Sequence, residues 1–145
     1  MILYFDIETI PANYESWHDE YIAHKSKNIA PAEKPGFIDL LKSTDPMLSR
    51  ILCVSYKKDQ EPTCVLYAYT QEEEEHLIQT FAKAIAGASL FVHYNGLDFD
   101  APFVITRARK YLIQLNYMFT DLRRFSKSPH YDIMHILGNW RDKIK

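Results

Sequence analysis

Ile2-Leu3-Tyr4-Phe5-Asp6-Ile7-Glu8-Thr9 opens the chain with an apolar run that two acids interrupt. Branched and aromatic residues dominate it, which predicts a strand over 2–8 that Pro11 stops. Successive side chains on a strand point to opposite faces, so Asp6 and Glu8 share one face, about 6.6 Å apart along it. Phe5 and Ile7 demand burial on the other. Two carboxylates so placed repel each other unless a cation lies beside them, and hard divalent cations such as Mg²⁺ take carboxylate oxygens. Asp6 and Glu8 are therefore candidate metal ligands. The alternative, two surface acids on a free edge strand, fits poorly with a strand this apolar.

Outward from this strand, residues 11–49 are punctuated by Pro11, Pro31, Pro35, Gly36 and Pro46. They read as an irregular insertion or mobile loop, with a short helix around 37–42. Segments 50–56 and 63–69 read as two strands of a hairpin. The period then changes: Leu77, Ile78, Phe81, Ala82 and Ile85 form a helical stripe. Thr70 with Glu73 fits a capping box, and the acids at 72–75 suit the positive end of a helix dipole, as a solvated helix start. Gly87 closes that helix. Residues 89–94 read as a buried strand, Asn95-Gly96 as a turn, 100–112 as a helix that tolerates Pro102 in its first turn, and 131–137 as a strand or strand-to-helix junction. Strands and helices in this order give an α/β fold with a mixed sheet and flanking helices, in one domain over 1–145.

Composition fits an ordinary globule: 47% apolar and 25% charged residues. Cys53 and Cys64 are too few for a disulfide framework and lack metal-ligand spacing; they read as free core thiols in a reducing cytosol. The acids break the N-terminal apolar run before it could serve as a leader, and no stretch approaches the ~20 apolar residues of a membrane span. The net charge of −2 hides an acidic front and a basic tail. In that tail Arg107, Arg109, Lys110, Arg123, Arg124 and Lys127 are interleaved with Tyr111, Tyr117 and Phe125. Such a mix suits single-stranded nucleic acid, with charge along the backbone and bases stacked on rings. A solvated helix face over core aromatics explains it equally. The six histidines show no zinc-type pairing.

Asp100 opens the last long helix, where Asp is a favoured N-cap. It also follows a tight turn at the carboxyl end of a strand, where open α/β sheets place their sites. Asp98, in the same turn, reads as a loop acid facing solvent.

Tyr4-Phe5-Asp6-Ile7-Glu8-Thr9 resembles the first motif of the DEDD superfamily of 3′–5′ exonucleases, an apolar strand ending Asp-x-Glu. His93-Tyr94-Asn95-Gly96-Leu97-Asp98-Phe99-Asp100-Ala101-Pro102-Phe103 resembles the second, in the form most similar to the proofreading domain of family B DNA polymerases and related stand-alone exonucleases. The likeness extends to Tyr131-Asp132-Ile133-Met134. It implies a ribonuclease H-like (DnaQ-like) fold. It implies Asp6, Glu8 and Asp100 as metal-binding, catalytic acids, with Thr9, Asn95 and Phe99 at the substrate strand. Asp132 matches a recurrent acid of a later strand. The implied reaction is hydrolysis by two Mg²⁺ or Mn²⁺ ions at the 3′ end of single-stranded or frayed nucleic acid, DNA ahead of RNA, releasing nucleoside monophosphates.

One part of the pattern is absent. The family carries a third motif, Tyr or His followed a few residues later by a fourth acid, beyond the strand of Asp132. Asp142 has no such residue before it, and Tyr117-Met118-Phe119-Thr120-Asp121 precedes that strand. The chain therefore reads as cut short at its C-terminus or as lacking its fourth ligand. The alternative function is a catalytically impaired, exonuclease-like domain that binds nucleic acid.

Overall fold

Strand β1 (Ile2–Pro11) lies at the centre of a five-stranded sheet in the computed structural model of the protein, which describes residues 1–141. Asp142 lies outside the described residues. Strands β2 (Ser49–Lys58), β3 (Cys64–Tyr67), β4 (Leu90–His93) and β5 (His130–Asp132) complete the sheet in the order β3-β2-β1-β4-β5. β2 runs antiparallel to β1 and β3, whereas β4 is parallel to β1 and β5. The sheet is mixed, as expected. The parallel pairing of β1 with β4 is short and ends at Tyr4 opposite Val92.

Alternation along β1 sorts its side chains: Leu3, Phe5 and Ile7 are buried, while Tyr4, Asp6 and Glu8 are exposed. The buried face packs under α3 (Glu74–Ile85) and α4 (Asp100–Lys110). The stripe Leu77, Ile78, Phe81 and Ile85 is buried as read, and meets Phe103 and Val104 of α4 in one core. Phe119, from the loop after α4, is fully buried among Phe5, Phe81 and Phe91, with ring centroids 5.1–5.9 Å apart in tilted or edge-on pairs.

Residues 11–49 depart from the irregular reading. They form two helices, α1 (Trp17–Ser26) and α2 (Lys34–Thr44). Pro35 and Gly36 lie in the first turn of α2, where a missing N–H does no harm. The short helix read around 37–42 lies within α2; no residue of α2 is buried, so no apolar stripe marked its full length. Polar ties hold the pair: Tyr21 donates to Asp45 Oδ2 at 2.8 Å, and Thr9 Oγ1 donates to the Ser43 carbonyl at 2.7 Å.

The capping box also differs. The Thr70 side chain makes no cap bond, and a 3₁₀ turn over Gln71–Glu73 precedes α3. Glu73 accepts from the Tyr69 amide at 2.9 Å, one residue before the expected cap, so neither half of the box forms. The two cysteines do not oppose each other, since Cys53 pairs with Tyr67 and Cys64 with Tyr56; Cys64 is exposed rather than in the core.

Candidate active site

The second motif is held from three sides. β4 ends at His93, and the chain turns through Asn95, whose φ of 60° lies in the left-handed region that Asn tolerates better than most residues. Asp132, fully buried at the end of β5, accepts from the amides of Asn95 (2.9 Å) and Leu97 (3.0 Å). The same carboxylate caps α5 (Ile133–Leu137) by accepting from Met134 and His135 amides. Asp132 is therefore an anchor that fixes the turn 95–97, and its oxygens are spent on backbone amides. Asp98 does not face solvent freely: it accepts from Arg124 at 2.6 Å and lies 3.1 Å from His135 Nε2.

This turn delivers Asp100 to β1. The Asp100 side chain is buried, and its Oδ1 accepts from the Ile7 amide at 3.0 Å. Ile7 stands between Asp6 and Glu8 in sequence, so the bond places Asp100 beside the acid pair across 93 residues of chain. Burial pushes the Asp100 carboxyl up to about 7; the Ile7 amide pulls the other way, and the nearby Asp6 charge adds to the rise. Asp6 acts on Asp100 both as a charge and as a hydrogen-bond partner. Asp6 and Asp100 are thus brought together. Glu8 shares the exposed face with Asp6 and stands opposite Cys53, whose thiol burial and the Glu8 charge push up.

Two neighbouring carboxylates, one exposed and one buried with its proton held tightly, make a site that a divalent cation fits, because the cation relieves their repulsion. Oxygen donors are also the right kind for Mg²⁺ or Mn²⁺. Among the described residues, however, no three or more His, Cys, Asp or Glu side chains are grouped to hold a metal ion. The donor set fits in kind and is built around two acids. Asn95 Oδ1, in the turn before Asp100, is a buried oxygen with no hydrogen-bond partner among the described residues.

The remaining expected site residues divide. Phe99 sits at the start of α4 and packs on Phe103 with ring centroids 5.6 Å apart. Thr9 has its hydroxyl committed to α2. Arg123 is exposed but paired with Asp121, and Arg124 is paired with Asp98, so each already has an acid partner. Arg107 does not belong to a solvated basic face. It is buried and ion-paired to the fully buried Glu74, with Nη2 to Oε1 at 2.5 Å.

Glu74 is the buried residue that the charge run concealed. Its carboxylate accepts from Arg107, from the Tyr111 hydroxyl at 2.6 Å and from the Ile51 amide at 2.6 Å, tying α3, α4 and β2 together. A signal was present: 74 precedes 77, 78, 81 and 85 at helical spacing, on the core side of α3. His93 and His130 are likewise structural. Gly96 donates its amide to His93 Nδ1 at 3.1 Å, which leaves His93 Nε2 to donate to His130 Nδ1 at 2.9 Å; His130 Nε2 then donates to the Phe119 carbonyl at 2.8 Å.

The family model of the RNase H superfamily matches residues 37–145, a span that contains the second motif and Asp132 but not Asp6 or Glu8. No curated protein matches the sequence. Among solved structures, the family B DNA polymerase from the hyperthermophilic archaeon Pyrobaculum calidifontis is similar with a TM-score of 0.50 at 19% identity. The match covers 79% of this chain and 11% of the polymerase chain. It bears on the fold, and this chain spans about a tenth of the length of that enzyme.

Proposed function

The chain belongs to the RNase H superfamily, and from that premise we propose that it is a divalent-metal-dependent nuclease acting from the 3′ end of single-stranded or frayed nucleic acid, DNA ahead of RNA. The observation that carries this reading is the Asp6–Asp100 pair, clamped by the Ile7 amide at 3.0 Å. Asp6 and Asp100, with Glu8 on the same strand face, would hold Mg²⁺ or Mn²⁺, which supplies Lewis-acid polarisation of the phosphate and an acidified water. The chain's own contribution is positioning. Asp132 fixes the turn, the turn fixes Asp100, and the Ile7 amide orients one Asp100 oxygen so that the other is directed elsewhere. Where a cation is held, Asp100 would release its proton to solvent and bind as the carboxylate.

The test is release of mononucleotides from a strand labelled at its 3′ end, set beside the same strand labelled at its 5′ end. Immediate mononucleotide release from the 3′ label, needing Mg²⁺ or Mn²⁺ and lost in Asp6→Ala, is the expected outcome. Equal release by Asp6→Ala would overturn the reading.

A second reading, a domain that binds nucleic acid without cutting it, is favoured by the lack of a third converging acid among the described residues. Strand binding without metal-dependent release by the intact chain would select it.

A further inference from the structure

The sheet has two unlike faces. One lies under α3 and α4. On the other, strand register brings Tyr4 opposite Lys57 and Val92, Asp6 opposite Ser55, and Tyr67 opposite Cys53, itself opposite Glu8. Residues opposite one another on paired strands share a face, so three tyrosine-bearing rows and both acids of β1 share this one once Tyr94, just past β4, is included. Tyr4 is 41%, Tyr67 53% and Tyr94 54% exposed. Tyr4, Asp6, Lys57 and Tyr94 line one open cleft of about 570 Å³, bordered by Ile133 of α5.

We propose that this face is a stacking platform for the bases of a single strand threaded towards the acids, with bases on Tyr4 and Tyr94 and a phosphate on Lys57. The choice of ligand rests on the nuclease reading above. Tyrosine rings offer flat surfaces that every base can stack on, and the gain is sequence-tolerant. Lys57 has no acid partner among the described residues, so its ammonium is available to a phosphate. A protein partner or a second copy laid over this face would have to desolvate Asp6 and Glu8, which is costly without matched cations. A nucleic-acid strand arrives with cations of its own. The cleft also runs along β1 from Tyr4 to Asp6, so it reaches the first acid of the site.

The experiment is fluorescence anisotropy of a labelled short oligo(dT) in Ca²⁺ buffer, against a strand of the same length with abasic sugars. The proteins are the intact chain, Tyr4→Ala, Tyr4→Phe, Tyr94→Ala, Lys57→Ala and, as control, Tyr117→Ala. Tyr117 is exposed on a segment that Asn116 pins to the end of α3. Tyr4→Ala and Tyr94→Ala should each weaken oligo(dT) binding roughly tenfold, leave the abasic strand unaffected, and Tyr4→Phe should restore affinity. Lys57→Ala should weaken both strands and reduce the salt slope by about one. Tyr117→Ala should bind as the intact chain does. Equal binding of oligo(dT) by all variants overturns the platform, as does a self-associating chain whose dimer Tyr4→Ala dissociates in sedimentation velocity. If the platform fails while metal-dependent release from the 3′ label persists, the nuclease reading stands alone. If release is absent but the tyrosine effects appear, the platform stands and the nuclease reading falls.

Discussion

Gly96 lies against the imidazole of His93 so closely that a methyl group on its Cα would come within 2.4 Å of ring atoms Cγ and Nδ1. The same approach lets the Gly96 amide donate to Nδ1. Gly96→Ala should therefore displace the ring or the turn, at about 2 kcal/mol of stability, as overpacking typically does. The turn carries Asp100, so nuclease activity should fall with it. Urea denaturation checks the first expectation; a midpoint within error of the parent's would refute it.

Asp100 is kept at a loss when ionised. Its carboxyl titrates at about 7 when folded, against 3.8 when free. The raised value means that the folded state holds the proton more tightly. The stability this gives is complete below pH 3.8 and is lost as pH rises through 7. Asn carries no charge there, and its carbonyl can still accept from the Ile7 amide. Asp100→Asn should match the parent near pH 4 and exceed it at pH 8 by on the order of 2–4 kcal/mol, while losing activity. Denaturation of both proteins at the two pH values is the measurement, and a less stable Asp100→Asn at pH 8 would contradict it.

The buried histidines set an acid limit of opposite origin. Burial holds His93 down at about 4 and lowers His130; Asp132 nearby pulls both upward but is outweighed. Free imidazole titrates near 6.5. The unfolded chain therefore takes up protons that the folded one refuses, so stability is present above pH 6.5 and drains away as pH falls towards 4. The His93 contribution is on the order of 2–3 kcal/mol. In the Asp100→Asn variant, where the opposing Asp100 contribution is absent, urea midpoints between pH 7.5 and 4 should fall steadily, and a flat profile would mean that the pair is charged in the folded protein.

Glu74 and Arg107 should behave as one unit. Glu74→Gln or Arg107→Met alone leaves a buried charge unmatched and should destabilise by about 3–5 kcal/mol, whereas Glu74→Met with Arg107→Met should regain part of the loss. Thermal melts of the three variants decide this. Additive losses in the double variant would show two independent contacts instead of a pair.

Legibility in the sequence followed the physics of each element. β1 and α3 bury one face against solvent on the other, so alternation and the 3.6 period wrote them plainly. Asp6 and Glu8 were readable because a period of two fixes their common face. Asp100 was readable only through its place in the turn, since an isolated helix-opening Asp looks like a cap. α1 was not readable, and α2 only as the short helix around 37–42, because both lie outside the core: α1 buries only His18 and Ser26, and α2 buries nothing. Arg107 and Asp98 were misread for a different reason. A charge announces solvent until its partner is known, and their partners lie 33 and 26 residues away.

The short pairing of β1 with β4 has a consequence for how such a site can exist at all. The ladder between them stops at Tyr4, and three residues on the Ile7 amide is taken by a side chain. Had β4 run further, its backbone would claim that amide and the acid would have no seat. The centre of the site is in effect an unfinished seam, closed by Asp100 where another strand's carbonyl would otherwise be stitched. Substitutions that extend β4 through 94–97 would thus evict the acid without touching it, and a more regular sheet would be an emptier one.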